Sequence, residues 1–274
     1  MKKLLIAIFL PLVVILWAGT NLKPSTNPLP ASPAPTGLPD GTRPAQSDYT
    51  FAVISDIHAD YDSLQKALDF ARADGVSFII VAGDLTTVGA PAELQKIKAV
   101  LAKNNLPYYV VPGNHDLWSK GGLGNFTTVF GPDFQFFQKG EVKFILINNA
   151  DGSKGVGEGQ QEWLDQELAD CFKLYCLVFA HMPLNHPYFT HVMGEGSPLV
   201  ANQAAELVKK LTSHQVKKLF AGHVHYFSSY ELDGLKTHTD GAVFSDKGTV
   251  SPRFLEITVS GSPTTLEEKE VWVE

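Results

Sequence analysis

Three short apolar runs separated by two amphipathic stretches constrain this chain more than any other feature. YTFAVISD (49–56), VSFIIVAGD (76–84) and PYYVVPGN (107–114) read as strands. Between them, DSLQKALDFARADG (62–75) and APAELQKIKAVLAKNN (90–105) read as helices, the first closed by Gly75 and the second with Pro91 near its start. Strand, helix, strand at this spacing specifies parallel βαβ units with helices packed on the sheet faces, an α/β fold. Downstream come a hairpin in FQFFQKGEVKFILINNAD (134–151), a helix in GQQEWLDQELAD (159–170), a strand in KLYCLVFAH (173–181), a long loop, a helix in PLVANQAAELVKKLTSH (198–214) and a strand in VKKLFAGH (216–223). Beyond Tyr226 only strand-like runs remain, which suits a second sheet packed against the first.

The strands end in groups that can bind a metal ion or move a proton. Asp56 and His58 close the first, Asp84 the second, Asn114, His115 and Asp116 the third, His181 a later one, and His223 and His225 the last before Tyr226. In an open α/β sheet ligands bind outside the carboxyl ends of the strands, so five distant segments would deliver these groups to one edge. Carboxylate, amide and imidazole without thiolate suit hard-to-borderline ions. Asp56-x-His58 and His223-x-His225 would each aim two ligands to one side if the backbone is extended. Gly83, Gly113 and Gly222 precede Asp84, Asn114 and His223, where a residue without Cβ lets the backbone come close to an ion. Taken singly, Asp84 reads as a turn residue and His181 as a core histidine; the coincidence of five segments carries the functional reading.

The ordered set D-x-H, G-D, G-N-H-D, H and G-H-x-H, spread from Asp56 to His225, resembles the calcineurin-like metallophosphoesterase family. The resemblance implies a four-layer α/β/β/α sandwich of two mixed β-sheets with a dimetal site at the carboxyl ends of the strands. It implies two divalent or trivalent ions (Mn, Fe or Zn) bridged by Asp84, one held by Asp56, His58 and His225, the other by Asn114, His181 and His223. Such a pair lowers the pKa of a bridging water and clamps phosphoryl oxygens, so the implied reaction is hydrolysis of phosphomonoesters or phosphodiesters by in-line attack of hydroxide. His115 would protonate the leaving oxygen or stabilise the transition state, with Asp116 holding its tautomer and orientation. Two departures stand out. Purple acid phosphatases resemble the pattern but carry a Tyr three residues after the bridging Asp, where this chain has Thr87, and lack the counterpart of His58; His181 lies between Ala180 and Met182, where many members have Gly and His. The full set also looks like bacterial cyclic-nucleotide phosphodiesterases, an alternative within the enzymes. The alternative outside them is a noncatalytic module that keeps the fold to bind metal or a phosphorylated ligand; the His115-Asp116 pair argues against it.

Charge narrows the partners. The chain of 274 residues carries a formal charge of −7, and residues 49–274 hold 18 basic against 27 acidic residues, so no broad nucleic-acid surface is expected; the family resemblance implies a small phosphate-ester substrate. The N-terminus reads as a signal peptide or membrane anchor over residues 1–19, with an apolar run from Leu4 to Ala18 short for a full span. Residues 20–48, with seven of the 17 prolines, read as a Pro-rich disordered linker, and 49–274 as the metallophosphoesterase domain. The domain is therefore expected outside the cytoplasmic membrane, secreted or tethered to its outer face. That location permits a disulfide between Cys171 and Cys176, although two buried thiols fit the sequence equally well. Gly-rich and Pro-rich loops at 117–126 and 184–198 border the same edge and offer Trp118, Lys120, His186, Tyr188 and His191 as substrate-lining candidates. His214 and His238 are assigned to solvent or packing.

Overall fold

The computed structural model describes residues 48–245 and 251–273. The readings of an anchor over 1–19 and a linker over 20–48 fall on residues 1–47, outside the described residues, save Asp48.

The first half follows the strand-helix alternation: β1 (Tyr49–Ile54), α1 (Tyr61–Ala73), β2 (Ile79–Ala82), α2 (Pro91–Lys103) and β3 (Tyr108–Val111). The Asp60 side chain caps α1 by accepting from Ser63 N at 3.0 Å, and Pro91 opens α2. A 3₁₀ turn (His115–Leu117) and α3 (Leu123–Phe130) follow. Next come β4 (Gln135–Lys139), β5 (Val142–Leu146), α4 (Glu158–Leu168), β6 (Tyr175–Ala180), α5 (Pro198–Ser213) and β7 (Lys218–Ala221). The chain closes with β8 (Ser228–Leu232), β9 (Leu235–Thr239), β10 (Arg253–Ser260) and β11 (Thr265–Trp272). Two mixed sheets result, in the orders β11-β10-β1-β2-β3 and β4-β5-β6-β7-β9-β8.

Three hydrophobic layers hold the four structural ones apart. Strand alternation sends Phe51, Val53, Ile80, Phe144, Leu177 and Phe179 into the interface between the sheets. Their neighbours Ala52, Ile54, Ile79 and Val81 face α1, α2 and α3, and Ile145, Val178 and Leu219 face α4 and α5. Aromatic rings dominate the inter-sheet layer: Phe51 stacks on Phe78 at 5.1 Å, and Phe179 on Phe220 at 5.1 Å. The helices thus cover the outer faces, and the carboxyl ends of β1, β2, β3, β6 and β7 stay open at one edge.

Two expectations need correction. The tail does not supply the second sheet alone: β8 and β9 extend it, whereas β10 pairs antiparallel with β1 and brings β11 back to the first sheet. In β10, Leu255, Ile257 and Val259 alternate toward the inter-sheet layer, which fits only a strand lying beside β1. The Gly-rich segment 117–126 is also not simply loop. It leads into α3 because Phe126 and Val129 bury against the first sheet's helical face.

His238 is neither solvated nor merely packed. Its Nδ1 lies 2.9 Å from Glu268 on β11, which also pairs with Lys218 on β7, so a polar clamp ties the sheets together. His214 ends α5, its Nδ1 2.8 Å from Lys210 O. Cys171 and Cys176 are joined by a disulfide, resolving the alternative left by the sequence.

Candidate metal centre

Each strand end arrives at the open edge through a tight turn. Asp56, His58, Asp84, His223 and His225 all have positive φ, between 46° and 71°. The expectation that the D-x-H and H-x-H pairs sit in extended backbone is therefore wrong; the ligands leave their strands in left-handed turns. A non-glycine residue there costs on the order of 1 kcal/mol, and such strain persists only where surrounding structure enforces it. Here Asp56 N donates to Gly83 O at 3.1 Å, while Ile57 N and His58 N both donate to Asp84 O, at 2.8 and 3.0 Å, locking the first two turns to each other. The glycines serve close approach, though between ligands: a Cβ at Gly83 would stand 2.5 Å from His181 Nδ1, and one at Gly222 2.6 Å from Asp56 Oδ2.

The structure brings all seven expected ligands together around Asp84. On one side, His225 Nε2 lies 3.2 Å from His58 Nε2 and 3.3 Å from Asp56 Oδ1. On the other, His181 Nε2 lies 3.3 Å from Asp84 Oδ2, 3.0 Å from Asn114 Oδ1 and 3.2 Å from His223 Nδ1. His58 Nε2 closes the middle at 3.8 Å from Asp84 Oδ2. Ligand atoms about 2.0–2.2 Å from one ion are separated by roughly 3.0–3.5 Å along the edges of its coordination polyhedron. Several of the spacings fall in that range, and imidazole nitrogens aimed at one another call for a shared cation or proton. The residues fit a pair of ions, with Asp56, His58 and His225 as one group and Asp84, His181 and His223 as another.

Burial grades from floor to rim. Asp56, Asp84 and His181 are closed off, His58 and His115 partly open, and His225 most accessible. Burial alone would raise the Asp84 carboxyl, but the charge and hydrogen bond of His181 hold it below the usual range. Burial alone would lower His181, yet Asp84 and Asp56 push it up to about 9. His223 is taken down to about 3 by burial and by the neighbouring His181 and His191. Burial opposes the charge on His225 too, but Asp56 and Asp84 raise it, so the two carboxylates favour the protonated forms of both His181 and His225.

Asp116 requires a correction. It does not orient His115: its two oxygens accept from Leu85 N (3.1 Å), Thr86 N (2.9 Å), Thr86 Oγ1 (2.7 Å) and Gly113 N (2.9 Å), and it is fully buried. Consecutive side chains on a helical turn point apart, so the 3₁₀ turn that presents His115 to the cleft sends Asp116 inward. Asp116 braces the loops that carry Asp84 and Asn114. Burial and the charge of Asp84 push its carboxyl up to about 7, against the pull of those donors. His115 Nδ1 instead lies 3.0 Å from Thr87 O, which leaves Nε2 facing the centre, 3.9 Å from Asp84 Oδ2. Thr87 thus contributes its carbonyl to orienting the imidazole.

Of the substrate-lining candidates, Trp118 and His191 line the cleft beside the centre, and Lys120, His186 and Tyr188 do not. Trp118 lies over the His115 ring at 3.7 Å and His191 stacks on His223 at 3.9 Å. His186 is occupied in its own loop, accepting from Tyr188 N and Phe189 N at 3.1 Å each. Tyr188 projects into solvent and Lys120 is exposed. Two contributors escaped sequence reading. Asn149 accepts from His181 N and Met182 N through Oδ1 (3.1 and 3.0 Å), fixing the turn that carries His181; the signal was present, since INNAD also ends a strand in polar groups. Phe244 sets its ring against both His58 and His225, at 4.9 and 5.0 Å, and nothing in its sequence context marks it.

Comparison with known proteins agrees with this geometry. The chain is similar to a protein named probable cyclic nucleotide phosphodiesterase from Vesicomyosocius okutanii subsp. Calyptogena okutanii, 22% identical over 69% of this chain and 84% of that one. It is also similar to a probable glycerophosphodiester phosphodiesterase from Arcobacter nitrofigilis, 25% identical over 55% of this chain and 57% of that protein. In fold it matches purple acid phosphatase from yellow lupin with a TM-score of 0.62 at 15% identity, covering 82% of this chain and 52% of the lupin enzyme. The calcineurin-like phosphoesterase family model matches residues 49–227, well over half of the sequence, and the chain belongs to that family.

Proposed function

We propose that the chain is a metal-dependent phosphoesterase that hydrolyses phosphoric esters, diesters in preference to monoesters, with His115 as the proton donor. The observation that carries the reading is the convergence of Asp56, His58, Asn114, His181, His223 and His225 on Asp84, with His115 Nε2 poised beside it at 3.9 Å. Ions held there would neutralise phosphoryl charge and make water a nucleophile near neutral pH. The chain's own groups do the rest. A water oxygen gives up a proton to solvent as it bonds to phosphorus, and the P–O bond to the alcohol breaks opposite it. His115 in its doubly protonated form, with Nδ1–H held by Thr87 O, passes its Nε2 proton to the departing oxygen. The Thr87 carbonyl holds the ring so that Nε2, not Nδ1, faces that oxygen. Among the described residues, no Lys or Arg lines the cleft to meet the second charge of a monoester, which favours diesters. Action outside the cytoplasmic membrane is part of the reading; the apolar Leu4–Ala18 run and the Cys171–Cys176 disulfide support it.

The test compares bis-para-nitrophenyl phosphate with para-nitrophenyl phosphate after loading with Mn, Fe or Zn. Higher kcat/KM on the diester is expected. His115→Ala should reduce turnover of a methyl ester, whose alkoxide leaves poorly, far more than that of the activated nitrophenyl ester; equal losses would remove His115 from the proton-donor role. Absence of turnover with any metal would leave a binding module as the better account.

A further inference from the structure

The cleft beside the centre, about 500 Å³ in volume, has a charge pattern that bears on what the phosphorus carries. Asn114 and His223 join it to the candidate metal centre; Trp118, Met182 and Val192 give it apolar surface; Asp151 and Glu195 are its carboxylates. No Lys or Arg lines it among the described residues. Asp151 is a built anion. Its Oδ1 accepts from Ser153 N (3.0 Å), Ser153 Oγ (2.6 Å) and Lys154 N (3.1 Å), and these bonds outweigh burial to hold the carboxyl below the usual range. Its Oδ2 has only Lys154 Nζ at 3.4 Å as a counter-charge, on a side chain 80% exposed, a pairing that water largely screens. Glu195 meets His191 Nδ1 at 2.6 Å. Trp118, 59% exposed, lines the same space.

An indole face together with fixed carboxylates is the chemistry that recognises an alkylammonium group. The centre, once it holds cations, attracts the phosphoryl end, so the site has a cationic pole and an anionic cleft side by side. We propose that the substrate is a zwitterionic phosphodiester, one of whose alcohols carries an ammonium group lodged against Trp118, Asp151 and Glu195. This rests on the phosphoesterase reading and narrows it. A nucleotide, which brings further anionic or neutral groups to this cleft, offers no cation to its two carboxylates.

The test uses binding, so that it stands apart from turnover. Phosphorylcholine and its neutral carbon isostere, 3,3-dimethylbutyl phosphate, are titrated calorimetrically into the full, metal-loaded chain. Phosphorylcholine should bind about fivefold or more tightly, the scale of a partly exposed cation–π contact reinforced by a carboxylate. That ratio should fall toward one in Trp118→Ala, persist in Trp118→Phe, and drop in Asp151→Asn and Glu195→Gln. Equal or weaker binding of phosphorylcholine, or a ratio indifferent to all four substitutions, overturns the proposal. A clear preference for phosphorylcholine in a protein that hydrolyses no ester would sink the phosphoesterase reading and leave the ammonium cleft standing; turnover with no preference would do the reverse.

Discussion

Replacing Asp116 by Ala separates two accounts of the residue beside His115. As a brace, Asp116 satisfies three buried backbone N–H groups, of Leu85, Thr86 and Gly113, plus the Thr86 hydroxyl, all within 3.1 Å. Stranding a buried donor costs about 1–3 kcal/mol. With the hydroxyl free to rotate and water recovering some of the loss, the three N–H groups put the destabilisation near about 4 kcal/mol. For a domain of this size that lowers Tm by roughly 10 °C. Asp116→Asn, which keeps one acceptor oxygen, should fall between Ala and the native chain. Metal affinity should drop alongside, because the braced loops carry Asp84 and Asn114. Thermal melts and metal-binding isotherms on the three proteins decide the matter. If both variants melt with the native protein and lose only kcat, the bracing argument is refuted and an orienting role for Asp116 toward His115 returns.

Other consequences follow from the same geometry. Gly83→Ala places a Cβ 2.5 Å from His181 Nδ1 at a φ of +87°, so it should displace His181 and weaken metal binding at least tenfold, read by calorimetry; native affinity would contradict the close-approach reading. His181 is raised to about 9 and His225 is raised as well, so an ion must displace protons: metal affinity should rise with pH toward 9, and titrations in buffers of different ionisation enthalpy should report net proton release at pH 7. Glu268 sits near 2 in the folded chain against 4.5 ordinarily, because the hydrogen bonds of His238 and Lys218 outweigh burial. A depressed carboxylate stabilises the fold fully above about 4.5 and loses that contribution as pH falls toward 2. Glu268→Gln should therefore cost about 1–3 kcal/mol at pH 7 and flatten the acid limb of a urea-melt pH series; an unchanged limb would show that the inter-sheet clamp is inert.

The parallel units, the open edge and the ligands could be read from the sequence because each rests on local pattern: apolar period, strand length, and polar residues where strands stop. The placement of β10 was less legible, since pairing between β1 and a strand some two hundred residues later depends on burial of both faces rather than on neighbours. The backbone of the ligand turns was misread for a related reason. Extended geometry is the default after a strand, and only cross-strand bonds such as His58 N to Asp84 O make positive φ tolerable. Asp116 was misassigned because adjacency in sequence suggested contact with His115, where one helical turn sends neighbours apart. Phe244 leaves no local trace at all: it reaches His58 and His225 from a loop after β9.

The central claim is that two ions gathered at Asp84 make the esterase. The direct measurement is a metal titration of the chelated chain, following ions bound per molecule and hydrolysis of bis-para-nitrophenyl phosphate together. Activity should climb with the second ion and reach its plateau at two per chain, and Asp84→Asn should bind fewer and stay inactive. Full activity with one ion or none, or an active Asp84→Asn protein, would contradict it.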